Sequence, residues 1–164
     1  MKGILIVDHG SVRREANDML EKMFAHNHWA NSLAIDFLSG LQNPDPTFAT
    51  LTAHNLNVEG IWLARIQGRI LTDPAERFRD IPVSEMAARM EKNSEALLAL
   101  LKTDVARIVD YKMFDGTPVS SQIEDLLLHV WSHGVHHRGQ MSSKASSLGL
   151  KYPDVSFITY SRRK

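Results

Sequence analysis

The chain has 164 residues, with 19 basic and 19 acidic side chains, no cysteine and eight histidines. This length is typical of one domain, and the zero net charge argues against a broad basic surface for nucleic acid or an anionic membrane. The lack of cysteine excludes disulfides, thiolate metal sites, cysteine nucleophiles and iron–sulfur clusters. Any metal chemistry would therefore depend on imidazole and carboxylate groups.

The sequence predicts a cytoplasmic protein. No stretch approaches the roughly 18 consecutive apolar residues that span a bilayer. The apolar start at 1–7 is too short for a signal peptide, and Asp8 and His9 interrupt it. The absence of cysteine also suits a reducing compartment. We expect a small-molecule substrate, with neither nucleic acid nor a membrane as a partner.

An arm is predicted to precede the main fold. Residues 3–7 are apolar and β-branched, which is typical of a strand or an extended segment, and residues 8–11 break that pattern. The stretch 1–17 resembles the opening of small sirohydrochlorin-type chelatases, in which a strand ends in a functional His-Gly-Ser. Nothing downstream continues the strand–helix alternation of that fold. We therefore assign residues 1–15 to an N-terminal arm and residues 16–164 to one helical domain.

Two long amphipathic helices are predicted next. The first begins at about Ala16 and ends at Gly40 and the prolines that follow it. Its predicted inward face carries Met19, Met23, His26, Ala30, Leu33, Phe37 and Leu41. The second runs from about Thr47 to Ile70. Its inward face carries Leu51, His54, Val58, Ile61, Trp62 and Arg65.

A loop at 72–82 leads to a third helix, for which Ser84 is the predicted N-cap. Its inward side chains are Met86, Met90, Leu97 and Leu101. Asp115 and Gly116 then separate two extended runs, which strongly indicates a β-hairpin.

A fourth long helix is predicted from near Ser121 to about Leu148, with Gly149 just past its end. The tail at 155–160 predicts a strand or a closing arm. Together the elements predict an all-α, antiparallel four-helix bundle with a small β-hairpin before the last helix and a short extended N-terminal arm. Up-down-up-down connectivity is the expectation for such a bundle.

The fourth helix carries a cluster of histidines. On a helical wheel His133 and His137 lie inside the apolar stripe, whereas His129 and His136 lie on its shoulder. Imidazoles at i and i+4 are neighbours and form a chelating pair. His54 lies on the apolar face of the second helix, and bundles build metal sites from facing helices. We therefore predict a three-histidine site of His54, His133 and His137 that keeps a position open for a ligand.

The alternative is that these are hydrogen-bonded core histidines without metal. If a divalent ion binds, imidazole ligands favour Zn or Ni, with Fe, Mn or Cu also compatible.

Five other side chains are candidates for the pocket or for orienting a ligand. Gln140 follows the ligand pair and is placed to hold a ligand histidine by a hydrogen bond. Arg65 shares the face of His54 and either binds an anionic substrate or extends to solvent or a salt bridge, the second being favoured. His26 either lines the pocket or makes a core hydrogen bond. His129 and His136 border the ligand pair.

The segment 133–140, His-Gly-Val-His-His-Arg-Gly-Gln, resembles the signature of the DinB-like family, whose fourth helix carries His-x-x-x-His followed directly by Arg-Gly-Gln. Residues 27–31, Asn-His-Trp-Ala-Asn, resemble its first-helix motif. Residues 52–55 together with 62–68 resemble its second, and the Asp-Gly pair sits where the family has its hairpin. The resemblance extends from about Glu15 to Tyr160.

The resemblance implies a four-helix bundle, a homodimer, and a divalent metal held by three histidines. By motif position these are again His54, His133 and His137. Relatives include thiol-dependent transferases and isomerases that use low-molecular-weight thiols. The family name reflects DNA-damage induction, so a stress-response role is also implied.

Two classes of function follow. The first is a metal-dependent enzyme that activates a low-molecular-weight thiol, or water in a hydrolase, for transfer to a small electrophile. Glu124 and Asp125 lie a turn or more from His133, so no carboxylate base is evident, which favours the thiol. With no cysteine in the chain, that thiol must be a cosubstrate. The second class is a non-catalytic metal-binding stress-response module that serves as a dimerisation scaffold.

Overall fold

The computed structural model describes residues 9–163, and the side chains of residues 17–163. Its four long helices are α1 (His9–Ser39), α2 (Pro46–Ile66), α3 (Val83–Leu101) and α4 (Ile123–Ser147). The antiparallel strands β1 (Ile108–Lys112) and β2 (Pro118–Gln122) precede α4. A 3₁₀ turn (Pro74–Phe78) lies between α2 and α3, and a short helix α5 (Phe157–Ser161) ends the described chain. The predicted helical bundle with a hairpin before its last long helix is confirmed.

Two apolar clusters mark the two ends of the bundle and give the helix directions. One cluster joins Phe24 of α1, Ile66 of α2, Leu101 of α3 and Ile123 of α4. The other joins Leu38 of α1, Phe48 of α2, Met86 of α3 and Ala145 of α4. The end of α2 therefore lies beside the end of α3, the start of α4 and the middle of α1.

The connectivity is consequently up-down-down-up rather than up-down-up-down. Helix α2 is about 30 Å long, and the connection 67–82 is long enough to return along it before α3 begins. Helices α1 and α3 pack extensively on each other, as do α2 and α4. The hairpin lies at the end of the bundle where α3 stops and α4 starts, so the last crossover is short. None of the described helices combines the length and apolar character needed to cross a membrane.

A buried polar layer crosses the bundle between the apolar clusters. The Glu59 carboxylate accepts hydrogen bonds from Asn27 at 2.8 Å, Asn31 at 3.0 Å and Asn93 at 3.0 Å. Arg138 Nη1 donates to the side-chain oxygens of Asn27 at 3.0 Å and Asn31 at 2.6 Å. Burial raises the pKa of Glu59, whereas the asparagine hydrogen bonds and Arg138 oppose that shift. This layer joins α1, α2, α3 and α4 through directional bonds and so sets their register.

A second polar contact ties the start of α2 to the end of α4. The Asp45 side chain accepts from Thr47 N–H at 2.9 Å as the N-cap of α2, and Lys144 Nζ lies 2.8 Å from its other oxygen. The hydrogen bonds from Lys144 and Thr47 lower the pKa of Asp45 to about 2. This contact helps to hold α2 beside α4, the two helices that carry the candidate ligands.

Helix α1 differs from its predicted form. It begins at His9 rather than near Ala16, so residues 9–15 of the predicted arm are helical; the predicted strand at 3–7 lies outside the described residues. The inward face is also rotated, because Met19 is 54% exposed whereas Asn27 and Asn31 are buried. A prediction from hydrophobic periodicity does not detect Asn27 and Asn31, because these polar side chains enter the core to bond Glu59.

Three smaller expectations were wrong. Helix α2 ends at Ile66 instead of near Ile70, and Gly68 follows it at φ 80°. Pro82, not Ser84, is the N-cap of α3, and no side chain caps that helix. The tail forms α5 rather than a strand, because Ser156 accepts from Thr159 N–H and starts a helical turn. The hairpin turn contains Gly116 at φ 86°, and Gly149 at φ 69° follows α4, as predicted.

Candidate metal centre

Three histidines from two facing helices meet at one point. His54 comes from the first half of α2, and His133 and His137 come from adjacent turns of α4. One ring nitrogen of each lies within 4.8 Å of those of the other two. The Nε2 atoms of His133 and His137 are 3.1 Å apart. The structure therefore brings together the three predicted ligands.

Hydrogen bonds fix the orientation of two of these rings. His54 Nδ1 lies 2.8 Å from the Arg77 carbonyl oxygen, and because a carbonyl only accepts, Nδ1 must carry the proton. His137 Nδ1 lies 2.6 Å from Gln140 Oε1 in the same arrangement, so Gln140 holds a ligand histidine as predicted. Both rings are then left with a lone pair on Nε2, the atom that a metal would take.

Burial lowers the pKa of the two candidate ligands on α4, His133 and His137. Burial, with smaller contributions from the other imidazoles led by His137, lowers the pKa of His133 to about 3. The pKa of His137 is lowered mainly by burial, although the bond to Gln140 opposes the shift. At neutral pH both rings are therefore uncharged, and protons do not compete for their lone pairs.

The donor set fits a first-row divalent ion. Ligand nitrogens at about 2.1 Å from Zn in tetrahedral geometry would lie about 3.4 Å apart, close to the 3.1 Å between His133 and His137. No carboxylate among the side chains of residues 17–163 joins the three histidines in this cluster. Three neutral imidazoles leave a tetrahedral or larger coordination sphere incomplete, which is the pattern of catalytic rather than structural sites.

Aromatic rings flank the histidines on both sides. Phe78, from the 3₁₀ turn, stacks on His54 with centroids 4.8 Å apart and planes 10° apart. Trp62 contacts His129 edge to face at 5.2 Å, and His129 lies 5.9 Å from His133. His129 is thus beside the centre, one turn before the ligand pair, and burial lowers its pKa. His136 is exposed and its ring lies 5.0 Å from that of His137.

Arg65 does not extend to solvent. The residue is only 3% exposed, and its guanidinium lies 4.7 Å from the ring centroids of both Trp62 and Phe114. Neither ion pair found among the side chains of residues 17–163 involves Arg65. The favoured expectation, extension to solvent or a salt bridge, was therefore wrong.

His26 lies in a different part of the molecule. Its Nε2–H donates to the Val155 carbonyl at 2.9 Å, and Trp131 Nε1–H donates to its Nδ1 at 3.2 Å. Phe157 and Tyr160 also pack against the ring. His26 therefore makes the core hydrogen bonds of the alternative interpretation and anchors the C-terminal segment, and it lines a separate cavity of about 490 Å³ beside Trp131.

Several contributors could not be read from the sequence. The loop that supplies the Arg77 carbonyl and Phe78 is held on α2 by His54 and by Asn57, whose amide donates to the Arg79 carbonyl at 2.7 Å. A backbone carbonyl gives no signal in residue type. The polar layer around Glu59 had one signal, since Asn27 and Asn31 are four residues apart and share a helix face.

The comparison with known families agrees with this geometry. The family model described as DinB family matches residues 14–164, which is nearly the whole chain. No curated protein matches the chain. The family match and the three converging histidines both agree with the DinB-like motifs of α4. The chain belongs to the DinB family.

Proposed function

We propose that this protein is a divalent-metal-dependent enzyme that activates a small thiol, or water, for transfer to a small electrophilic substrate. The observation that carries the proposal is the orientation of the ligands: His54 and His137 each donate Nδ1–H to a fixed oxygen, and both present Nε2 to the space shared with His133. Histidines that only make hydrogen bonds in the core have no need to point their free ring nitrogens at one common space.

His54, His133 and His137 would hold the ion. Zn or Ni suits an all-imidazole set, and Fe, Mn or Cu is the alternative. The ion, when bound, would lower the pKa of a thiol or water in its open position and make the nucleophile available near neutral pH. Phe78 and Trp62 limit the access of bulk water on either side of the histidines.

The residues around the centre favour a thiol over water. The cluster offers no carboxylate base within residues 17–163, and an ordinary thiol with a pKa of about 8.5 needs far less acidification than water. His129, whose pKa is lowered by burial, borders His133 and is placed to accept the released proton. Because the chain lacks cysteine, the thiol has to be a low-molecular-weight cosubstrate.

The remaining expectations belong to the same proposal. We infer a homodimer with a small-molecule substrate, acting in the cytoplasm, with a stress-response role.

Metal content of untagged protein tests the first step. We expect about one ion per chain after incubation with Zn or Ni, and loss of that ion in His54→Ala and in His133→Ala. His136→Ala is the matched control, because this exposed neighbour of the ligand pair lies outside the cluster. No retained metal in the unmodified protein would refute the proposal.

Turnover tests the second step. Metal-loaded protein is assayed with small thiols and electrophilic acceptors, and we expect activity that chelator and His137→Ala both abolish. Full metal loading without turnover of any thiol or ester would instead favour a non-catalytic metal-binding module.

A further inference from the structure

Arg65 is a buried cation without a matching anion among the side chains of residues 17–163. It is 3% exposed, and its Nε and Nη2 atoms are buried and have no hydrogen-bond partner within those residues. Buried charged groups are normally paired and hydrogen-bonded, because leaving them unpaired is costly. Burial lowers the pKa of Arg65, and the nearby charge of Arg77 adds to that effect.

The other deeply buried arginine shows what a structural partner set looks like here. Arg138 is 1% exposed, donates through Nη1 to Asn27 and Asn31, and lies in the field of the Glu59 carboxylate, although its Nη2 has no partner within residues 17–163. Arg65 has only aromatic faces, those of Trp62 and Phe114 at 4.7 Å and of Tyr111 at 5.8 Å. Such faces attract a cation but accept no conventional hydrogen bond from its N–H groups. Arg65 therefore keeps unused donors.

A series of ring contacts connects Arg65 to the candidate metal centre. The ring centroids of His133 and His129 are 5.9 Å apart, and those of His129 and Trp62 are 5.2 Å apart. The Arg65 guanidinium lies 4.7 Å from the centroid of Trp62. Arg65 is eleven residues after His54, a rise of about 16 Å along α2. Helical side chains lean towards the N-terminus of their helix, and the longer arginine side chain leans further than the histidine, so the guanidinium lies less than about 16 Å from the ligands.

A second arginine approaches from the other side. Arg77, whose carbonyl orients His54, places its guanidinium 5.2 Å from the Phe114 ring, on which Arg65 also packs. Phe114 belongs to the turn of the hairpin. An arriving ligand that displaced this ring would therefore meet two guanidinium groups, and a guanidinium pairs with carboxylate or phosphate in a fixed two-bond geometry.

We propose that Arg65 is a specificity-determining residue that binds an oxyanion, carboxylate or phosphate, at one end of a small molecule whose other end reaches the three-histidine centre. This inference rests on the proposed function, since it names the class of molecule that the centre acts on. The molecule carries its reactive group and its anionic group at opposite ends, less than about 16 Å apart.

The test uses cobalt(II)-loaded protein, whose absorption changes when a thiol enters the metal centre. The probes are mercaptohexanoate, with thiol and carboxylate at opposite ends of a hexyl chain, its phosphate equivalent, and the neutral mercaptohexanol. We expect at least one anionic probe to bind about tenfold or more tightly than mercaptohexanol, in line with a charged hydrogen bond. The better anion identifies the class of oxyanion.

Three variants assign the preference to Arg65. Arg65→Gln should bind all three probes alike, and Arg65→Lys, which keeps the charge without the two-bond geometry, should retain a reduced preference. Arg69→Gln, an exposed arginine just beyond α2, is the matched control and should behave as the unmodified protein. Equal binding of all probes by the unmodified protein, or an unchanged preference in Arg65→Gln, would overturn the inference while the metal centre stands.

A metal-free measurement separates this inference from the proposed function. Hexanoate and hexyl phosphate carry no thiol, and at least one should raise the melting temperature of metal-free protein and of Arg69→Gln but not of Arg65→Gln. Absence of any such rise overturns the oxyanion site. A rise without any effect of thiols on the cobalt spectrum would retain the site and refute the thiol version of the proposed function.

Discussion

His54 Nδ1 lies 2.8 Å from the carbonyl oxygen of Arg77, and this bond joins a candidate metal ligand to the loop between α2 and α3. The same loop stacks Phe78 on the His54 ring, while Asn57 holds it through the Arg79 carbonyl. The orientation of the ligand therefore depends on a segment far from it in the sequence. Mutation of the groups that orient metal-bound histidines typically costs about 10- to 100-fold in metal affinity.

Phe78→Ala should weaken metal binding without unfolding the protein. The ring stacks on His54 but is 61% exposed, so its removal costs little core packing. We expect a loss of about tenfold in Zn affinity and a nearly unchanged melting temperature of the metal-free protein. Ile70→Ala, at a similarly exposed position in the same connection, is the control and should leave the affinity unchanged. Equal affinity in both variants would mean that Phe78 does not position His54.

Gln140→Leu should have a similar effect from the other side of the centre. Removing the acceptor of the His137 Nδ1–H frees the ring to rotate and to change tautomer. The expected loss is about 10- to 100-fold in metal affinity, measured by competition with a chromogenic chelator. Gln140→Glu, which keeps an acceptor at the same place, should restore most of it. Equal losses of metal affinity in Gln140→Leu and Gln140→Glu would show that the hydrogen bond to His137 does not determine the affinity.

Gly134→Ala should destabilise the bundle. A Cβ at this position would lie 2.9 Å from both Arg138 Nη1 and Asn27 Oδ1, within the buried polar layer. We expect the free energy of unfolding to fall by about 1–3 kcal/mol, measured by urea denaturation. Gly139→Ala on the same helix meets nothing within 4 Å and should gain up to about 1 kcal/mol from helix propensity. A stabilised Gly134→Ala would show that the layer can adjust.

Acidification should loosen the C-terminal segment through His26. Burial lowers the pKa of His26. The hydrogen bond to the Val155 carbonyl opposes this shift, whereas the positive charge of Arg138 adds to it. Because the unfolded state binds the proton more readily, stability is complete above a pH of about 6.5 and falls as the pH decreases below it. Protonation of Nδ1 would also break the bond from Trp131.

The measurement is the melting temperature of metal-free protein at several pH values between 7.5 and 5, compared with His26→Gln, which does not titrate at this position. The unmodified protein should lose more stability over this interval than the variant. His133 and His137 contribute in the same direction in both proteins, so the difference belongs to His26. Parallel pH profiles would exclude His26 as the source.

Much of the candidate centre could be predicted from the sequence because local periodicity carries it. His133 and His137 are one turn apart on any helix that contains both, and His54 shares a face with Leu51 and Val58 whatever α2 packs against. The hairpin followed from Asp115 and Gly116, because the turn needs a residue at positive φ. These features depend only on residues close together in the chain.

The rest was decided by contacts between distant segments. The up-down-down-up order depends on where the connection 67–82 docks, and that is set by His54 and Asn57 bonding to backbone carbonyls. The inward face of α1 depends on Glu59, because a buried carboxylate draws Asn27 and Asn31 into the core against their polarity. Two further features also depend on the tertiary structure. His26 bonds to the C-terminal segment, and Arg65 is buried without an anion among the side chains of residues 17–163. Sequence periodicity therefore determined which residues share a helix face, whereas buried hydrogen bonds between helices and loops decided which of those faces meet.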